Sequence, residues 1–135
     1  MSGVVIDASV AVKWIVEEEG SAAALALRDR QLLAPDSILV ECANIFWKKT
    51  RRGEFSKDEA AFAGRLLAHA DIEIVPARPL IEAAIEIALS LDHPAYDCLY
   101  LALAELRDMP FVTADIRLLN KAASTARFGR RLLRL

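Results

Sequence analysis

The chain has little with which to build the commoner cofactor sites. Its five glycines form neither a GxGxxG turn nor a phosphate-binding loop, which argues against a nucleotide-cofactor fold. Its two cysteines, Cys42 and Cys98, match no zinc spacing and no CxxC redox pair, so they read as reduced thiols filling small apolar positions. The two histidines, His69 and His93, are not spaced as a metal pair, and His93, next to Pro94, reads as a helix-boundary residue. No GxSxG elbow is present for a serine hydrolase. Uncharged runs fall far short of the ~18 residues a membrane span needs. The start of the chain lacks a basic segment and is interrupted by Asp7, so it does not read as a secretion signal, and the expected location is the cytoplasm. The net charge of −2 means that any nucleic-acid binding must rest on a local basic patch.

What is present is enough for one well-packed domain spanning residues 1–135, since 55% of the chain is hydrophobic. Short apolar runs alternate with helical patterns. Strands are expected at residues 3–6, 32–34, 72–75 and 111–113, with a final edge strand at 132–135. Helices are expected over 9–16, 21–30, 37–52, 56–69, 80–91, 94–107 and 115–123. Ser56 followed by Glu59 forms a capping box, and Pro94 suits a first helical turn. The alternation predicts an α/β fold, a short parallel sheet with helices on both faces, with no repeat or linker.

Four acids sit among residues that favour burial. Asp7 is the only charged side chain before Lys13, and it lies between Val4-Val5-Ile6 and the apolar stretch from Ala8 to Val12. Glu41 falls in Ile38-Leu39-Val40-Glu41-Cys42-Ala43, and Asp97 precedes Cys98-Leu99-Tyr100-Leu101. Asp115 follows the strand at 111–113. Taken singly, Asp7 and Asp115 could each be an N-cap and Asp97 could serve the helix dipole. Glu41 resists such an explanation. With Ser37 as N-cap, the capping-box position is Val40, and no lysine or arginine lies nearby before Lys48.

In open α/β sheets ligands bind outside the carboxyl ends of the strands, where these acids are expected. Gathered there, they would raise one another's pKa values, and a cation is needed to neutralise them. An all-oxygen ligand set favours Mg²⁺, or Mn²⁺ in its place, over zinc. Ser9, Thr113 and Asn44 supply neutral oxygens nearby, Asn44 on the same helix face as Glu41.

The stretches VVIDAS, VECANIFWK and AYDCLYLALAELRDMPFVTAD, with their spacing, resemble the PIN-domain ribonucleases, and among them the VapC-type toxins of bacterial toxin–antitoxin pairs. The resemblance covers nearly the whole chain. It implies a PIN-like fold and an acidic quartet on Asp7, Glu41, Asp97 and Asp115, with its hydroxyl on Thr113 and its helix asparagine on Asn44. It implies hydrolysis of RNA phosphodiester bonds with a Mg²⁺ or Mn²⁺ cofactor, leaving 5′-phosphate and 3′-hydroxyl ends. Asp7 and Asp115 would be the main metal ligands, with Asp97 a ligand directly or through water and Glu41 and Asp97 orienting a second ion or the attacking water. Many relatives carry a further acid just after the fourth aspartate, whereas here Ile116-Arg117-Leu118-Leu119-Asn120 has none. A cognate antitoxin and a homodimer are the implied partners.

For the RNA backbone the run Lys48, Lys49, Arg51 and Arg52 is the first candidate, and Arg127, Arg130, Arg131 and Arg134 form a second. Trp14, Phe46 and Trp47 are candidates for the antitoxin groove or a dimer contact, with plain core packing as the competing reading. Besides a toxin, the residues allow a housekeeping nuclease, a phosphohydrolase using an acidic site, or a non-catalytic metal- or RNA-binding module.

Overall fold

Val4, Val5 and Ile6 are fully buried because their strand lies at the centre of a sheet. In the computed structural model, which describes residues 3–135, β1 (Gly3–Ile6) pairs in parallel with β2 (Gln31–Pro35) and with β4 (Phe111–Thr113). Val5 is in register with Leu33 on one side and Phe111 on the other. Outside these, β3 (Glu73–Val75) joins β2 and β5 (Leu132–Arg134) joins β4, giving five parallel strands in the order β3-β2-β1-β4-β5. Residues 1 and 2 of the expected domain lie outside the described residues.

Parallel strands need crossovers, and helices supply them. They are α1 (Ala8–Ile15), α2 (Ser21–Ala26), α3 (Ser37–Arg51), α4 (Lys57–Ala68), α5 (Ile81–Leu91), α6 (Ala95–Arg107) and α7 (Ile116–Ala123). α1, α3 and α4 pack with one another and α5 packs with α6, so helices cover both faces of the sheet. Every residue of α6 from Cys98 to Ala104 is buried, which is why that helix is apolar all round rather than on one stripe. Tyr100 within it stacks on Phe111 of β4, ring centroids 5.5 Å apart.

The expected boundaries hold with local exceptions. The helix expected over 21–30 tightens into a 3₁₀ turn at Leu27–Asp29, because the chain must swing into β2, where Gln31 aligns with Gly3. Asp36 rather than Ser37 stands at the N-cap position of α3, and its side chain makes no capping bond. Asp36 is tied to the next crossover: its N–H donates to Val75 O and its Oδ1 accepts from Ala77 N. The box at Ser56 and Glu59 is fully formed, each side chain bonding the other's backbone N–H. α3 ends where Gly53 takes φ +77°, a left-handed turn that lets the Glu54 N–H reach back to Lys49 O.

Cys42 and Cys98 are buried and unpaired, and burial pushes their thiols up to about 12 and about 11, so both are inert small hydrophobes. Among the described residues no helix is long and apolar enough to cross a membrane.

The strand order positions the site. From β1 the chain steps outward to β2 and β3, then α5 and α6 carry it back to β4 on the other flank of β1. This reversal opens a crevice between the carboxyl ends of β1 and β4.

Candidate active site

Asp7 follows β1 and Asp115 follows β4, so these two acids flank the crevice. α3 starts from the end of β2 and places Glu41 at the same edge. α6 runs back toward the start of β4, so its first turn, with Asp97, lies there too. Four separate segments thus bring one acid each to the carboxyl edge of the sheet.

Asp7 is 6% exposed, and burial pushes its carboxyl up to about 6 despite two short hydrogen bonds that favour its ionised form. Ser9 Oγ donates to Oδ1 and Thr113 Oγ1 donates to Oδ2, each at 2.5 Å. Both hydroxyls are oriented from behind, because Ser9 Oγ accepts from Ala114 N and Thr113 Oγ1 accepts from Asp115 N. The Asp7 side chain makes no capping bond to α1, although its carbonyl accepts from Val10 N and Ala11 N. The N-cap alternative therefore holds for its backbone, while the Val10 N–H is near enough to favour the ionised carboxyl without forming a bond of normal geometry.

Asp115 is a true cap. Its Oδ1 accepts from Arg117 N and Leu118 N at 3.0 and 3.3 Å, leaving its second oxygen for the crevice. Glu41 finds its partner 59 positions away: Tyr100 Oη donates to Oε2 at 3.0 Å. Glu41 Oε1 is buried with no hydrogen bond of normal geometry, although the Ser37 hydroxyl one turn earlier is near enough to favour its ionised form. Burial pushes this carboxyl up to about 7, with the negative charges of Asp97 and Asp7 adding to the effect. Among the described residues, no lysine or arginine forms an ion pair with any of the four acids.

Asp97 receives a 2.6 Å hydrogen bond on Oδ2 from His93 Nε2. One ligand atom each from His93, Asp97 and Asp115 lie within 4.8 Å of one another, close enough to share a cation. The carboxylates of Asp97 and Asp115, with no lysine or arginine among the described residues to neutralise them, are within reach of one divalent ion, so these residues fit such an ion.

Two members of this site escaped the sequence reading. Tyr100 stands in the sequence only as part of the apolar run that follows Asp97, with no role of its own. His93 looked like a boundary residue, and the available signal was its spacing of four from Asp97 across the start of α6. Of the neutral oxygens, Ser9 and Thr113 bond Asp7, whereas Asn44 is exposed one turn beyond Glu41 and its side chain has no hydrogen bond among the described residues.

The basic and aromatic candidates separate likewise. Lys48, Arg51 and Arg52 are exposed at the end of α3, with the Arg51 guanidinium 5.2 Å from the Trp47 ring centre. Lys49 lies between Glu18 and Glu54. Arg127 is held by Glu86 and Glu105, and Arg131 by Asp108 and two backbone carbonyls, which leaves only Arg130 and Arg134 of the second basic set outside ion pairs. Phe46 and the half-exposed Trp47 line an apolar groove between α3 and α4, with Ala61, Gly64 and Leu67 on its far wall. Trp14 is elsewhere, packed against the core with its Nε1 donating to Ala24 O.

A parallel sheet of this order with acids gathered at its crevice defines a class, and the chain belongs to the PIN domain family, whose model matches residues 4–124. Within that class it is a VapC-type chain. It is 32% identical over 127 residues to Ribonuclease VapC3 of Pyrobaculum aerophilum, an alignment covering 87% of this chain and 92% of that protein. Solved structures share the fold. VapC20 of Mycobacterium tuberculosis, described as a sarcin–ricin loop cleaving toxin, superposes with a TM-score of 0.66 at 14% identity, covering 92% of this chain and 97% of the other. PAE2754 from Pyrobaculum aerophilum gives 0.63 at 23% identity, covering 89% and 79%. A toxin–antitoxin complex from Klebsiella pneumoniae gives 0.61 at 13%, covering 92% and 93%.

Proposed function

We propose that this chain is a Mg²⁺- or Mn²⁺-dependent endoribonuclease, the toxin of a type II toxin–antitoxin pair. The observation that carries the reading is that Asp97 and Asp115 can reach one cation while the charges of Asp7, Glu41 and Asp97 act on one another, with no lysine or arginine among the described residues paired to any of the four. Membership of the VapC type supports a nuclease over the phosphohydrolase and binding-module alternatives.

Asp7, Asp97 and Asp115 would hold the metal, with Glu41 beside them. When bound, the ion lowers the pKa of water and stabilises charge on the phosphoryl oxygens. The chain's own groups do the rest. Asp7 is fixed by two hydroxyls and Asp115 by two backbone N–H groups, so both carboxylates are oriented before any ligand arrives. Glu41, held near neutrality by burial, is suited to take a proton from the attacking water on its unpartnered oxygen. Attack by water rather than by the ribose 2′-hydroxyl leaves 5′-phosphate and 3′-hydroxyl ends.

Lys48, Arg51 and Arg52 would grip the RNA backbone, with Lys49 joining them on release from Glu18 and Glu54. Lys48 lies two turns beyond Glu41 on α3, ~10 Å along the axis, within reach of phosphates neighbouring the scissile one. The groove of Phe46 and Trp47 would take an apolar segment of the cognate antitoxin, and a homodimer is part of the same reading, which has the protein working in the cytoplasm.

The test is cleavage of RNA by the purified chain with Mg²⁺ or Mn²⁺, with chelator, and after Asp7→Asn. Loss in the second and third arms is expected. Activity that survives both would sink the metal-site reading.

A further inference from the structure

Each acid of the site has its own fixed donor. Ser9 and Thr113 hold Asp7, Tyr100 holds Glu41, and the first N–H groups of α7 hold Asp115. For Asp97 that donor is His93. We infer that His93 is a positioning residue, whose Nε2–H bond to Asp97 Oδ2 sets the angle at which the Asp97 carboxylate meets a divalent cation.

An ionised carboxylate can only accept, so Nε2 is the donor, and it carries a hydrogen in the neutral Nε2–H form and in the imidazolium alike. The ring is 7% exposed, and Nδ1 is buried with no partner. A histidine with one orphaned nitrogen fills space less well than a leucine or phenylalanine would. Packing therefore does not account for it, and its one hydrogen bond does.

The backbone carrying the ring is braced from three helices. His93 N donates to Ala88 O at the end of α5, and Asp92 is turned to φ +52° just before it. Lys121 of α7 donates through Nζ to the Asp92 carbonyl, and Pro94 leads directly into α6. An imidazole held this firmly can fix one oxygen of Asp97 while leaving the other for the ion shared with Asp115. Partners of this kind, bonded to a metal-holding carboxylate, orient the ligand and raise metal affinity without touching the metal. Ligation through Nε2 would require breaking the 2.6 Å bond to Asp97.

This assignment rests on the metal site proposed above, and Mn²⁺ binding, read by electron paramagnetic resonance on the full chain without RNA, separates the two. His93→Gln keeps an N–H donor at nearly the same reach, and His93→Met has similar length and no donor. Gln should bind Mn²⁺ within about threefold of the wild type and Met about 10- to 100-fold more weakly. Thermal unfolding of the metal-free variants checks that both fold. Equal affinities for Gln and Met overturn the positioning role, because a merely structural residue would not depend on the donor. A ¹⁴N coupling to bound Mn²⁺ that vanishes in His93→Met also overturns it, in favour of direct ligation. Absence of Mn²⁺ binding by the wild type overturns the metal site itself and this assignment with it.

Discussion

Asp7 and Glu41 are costly residues for the folded chain when no cation is bound. Their folded-state carboxyls stand at about 6 and about 7, above the usual 3.8 and 4.5, chiefly because burial disfavours the charged form. The folded state therefore binds more protons than the unfolded one between roughly pH 4 and 7, and stability must fall as pH rises through that window. Urea unfolding of the metal-free protein should give a lower midpoint at pH 7.5 than at pH 4.5, with Asp7→Asn flattening the difference. At pH 7.5 that same variant should be more stable than the wild type and unable to cleave RNA, a trade between stability and activity. Protons and cation compete for these oxygens, so Mn²⁺ should bind more tightly at pH 7.5 than at pH 5.5. Tyr100→Phe removes the hydroxyl that lowers the Glu41 pKa. The acidic limb of the cleavage profile should then move to higher pH, and a limb that stays put would remove Glu41 from the role of base. Of this residue-scale detail the sequence showed the mismatch and not its resolution. That Glu41 needed a partner was legible from its apolar flanks, but the partner lies in another helix, and nothing local points to Tyr100.

Elements were easier to read, because their signals are local. The capping box at Ser56 and Glu59 forms as its spacing predicts, and Ser56→Ala should cost about 1 kcal/mol, measured by chemical denaturation. Asp115 allows a sharper separation, since its carboxylate both caps α7 and faces the crevice. Asn caps as well as Asp, so Asp115→Asn should keep stability near the wild type while losing activity. Asp115→Ala should lose activity and about 1 kcal/mol of stability as well. Phe111 to Thr113 was legible as a strand from its β-branched and aromatic run between Pro110 and Asp115. The cap of α3 was not, because Asp36 is selected by its bonds to the chain around Val75 and Ala77, a tertiary tie that no window of sequence contains.

At the scale of the molecule the net charge of −2 conceals a division. The crevice is acidic, while Lys48, Arg51 and Arg52 are exposed at the far end of α3. RNA binding should therefore weaken steeply with salt, and each of Lys48→Ala and Arg52→Ala should reduce the slope of log affinity against log salt by about 0.7 if the lost contact is to a single-strand phosphate. Filter binding to a catalytically inactive Asp7→Asn chain would measure it, and slopes unchanged in both variants would move the RNA elsewhere. The parallel sheet was legible from alternating strands and helices, and the crevice from the rule that such sheets bind ligands at their carboxyl ends. What could not be read was how the basic residues divide, because only the fold shows that Arg127 and Arg131 are already committed to the ion pairs and carbonyls that lock the last segment of the chain.

The four acids come from segments that span the chain from Asp7 to Asp115, and the strand carrying the first acid is paired directly with the strand that delivers the last. During synthesis β1 therefore waits for β4, and the crevice cannot close around its acids until nearly all of the sheet has left the ribosome. A chain cut short before β4 lacks both the strand that flanks β1 and Asp115, so no such fragment can hold all four acids.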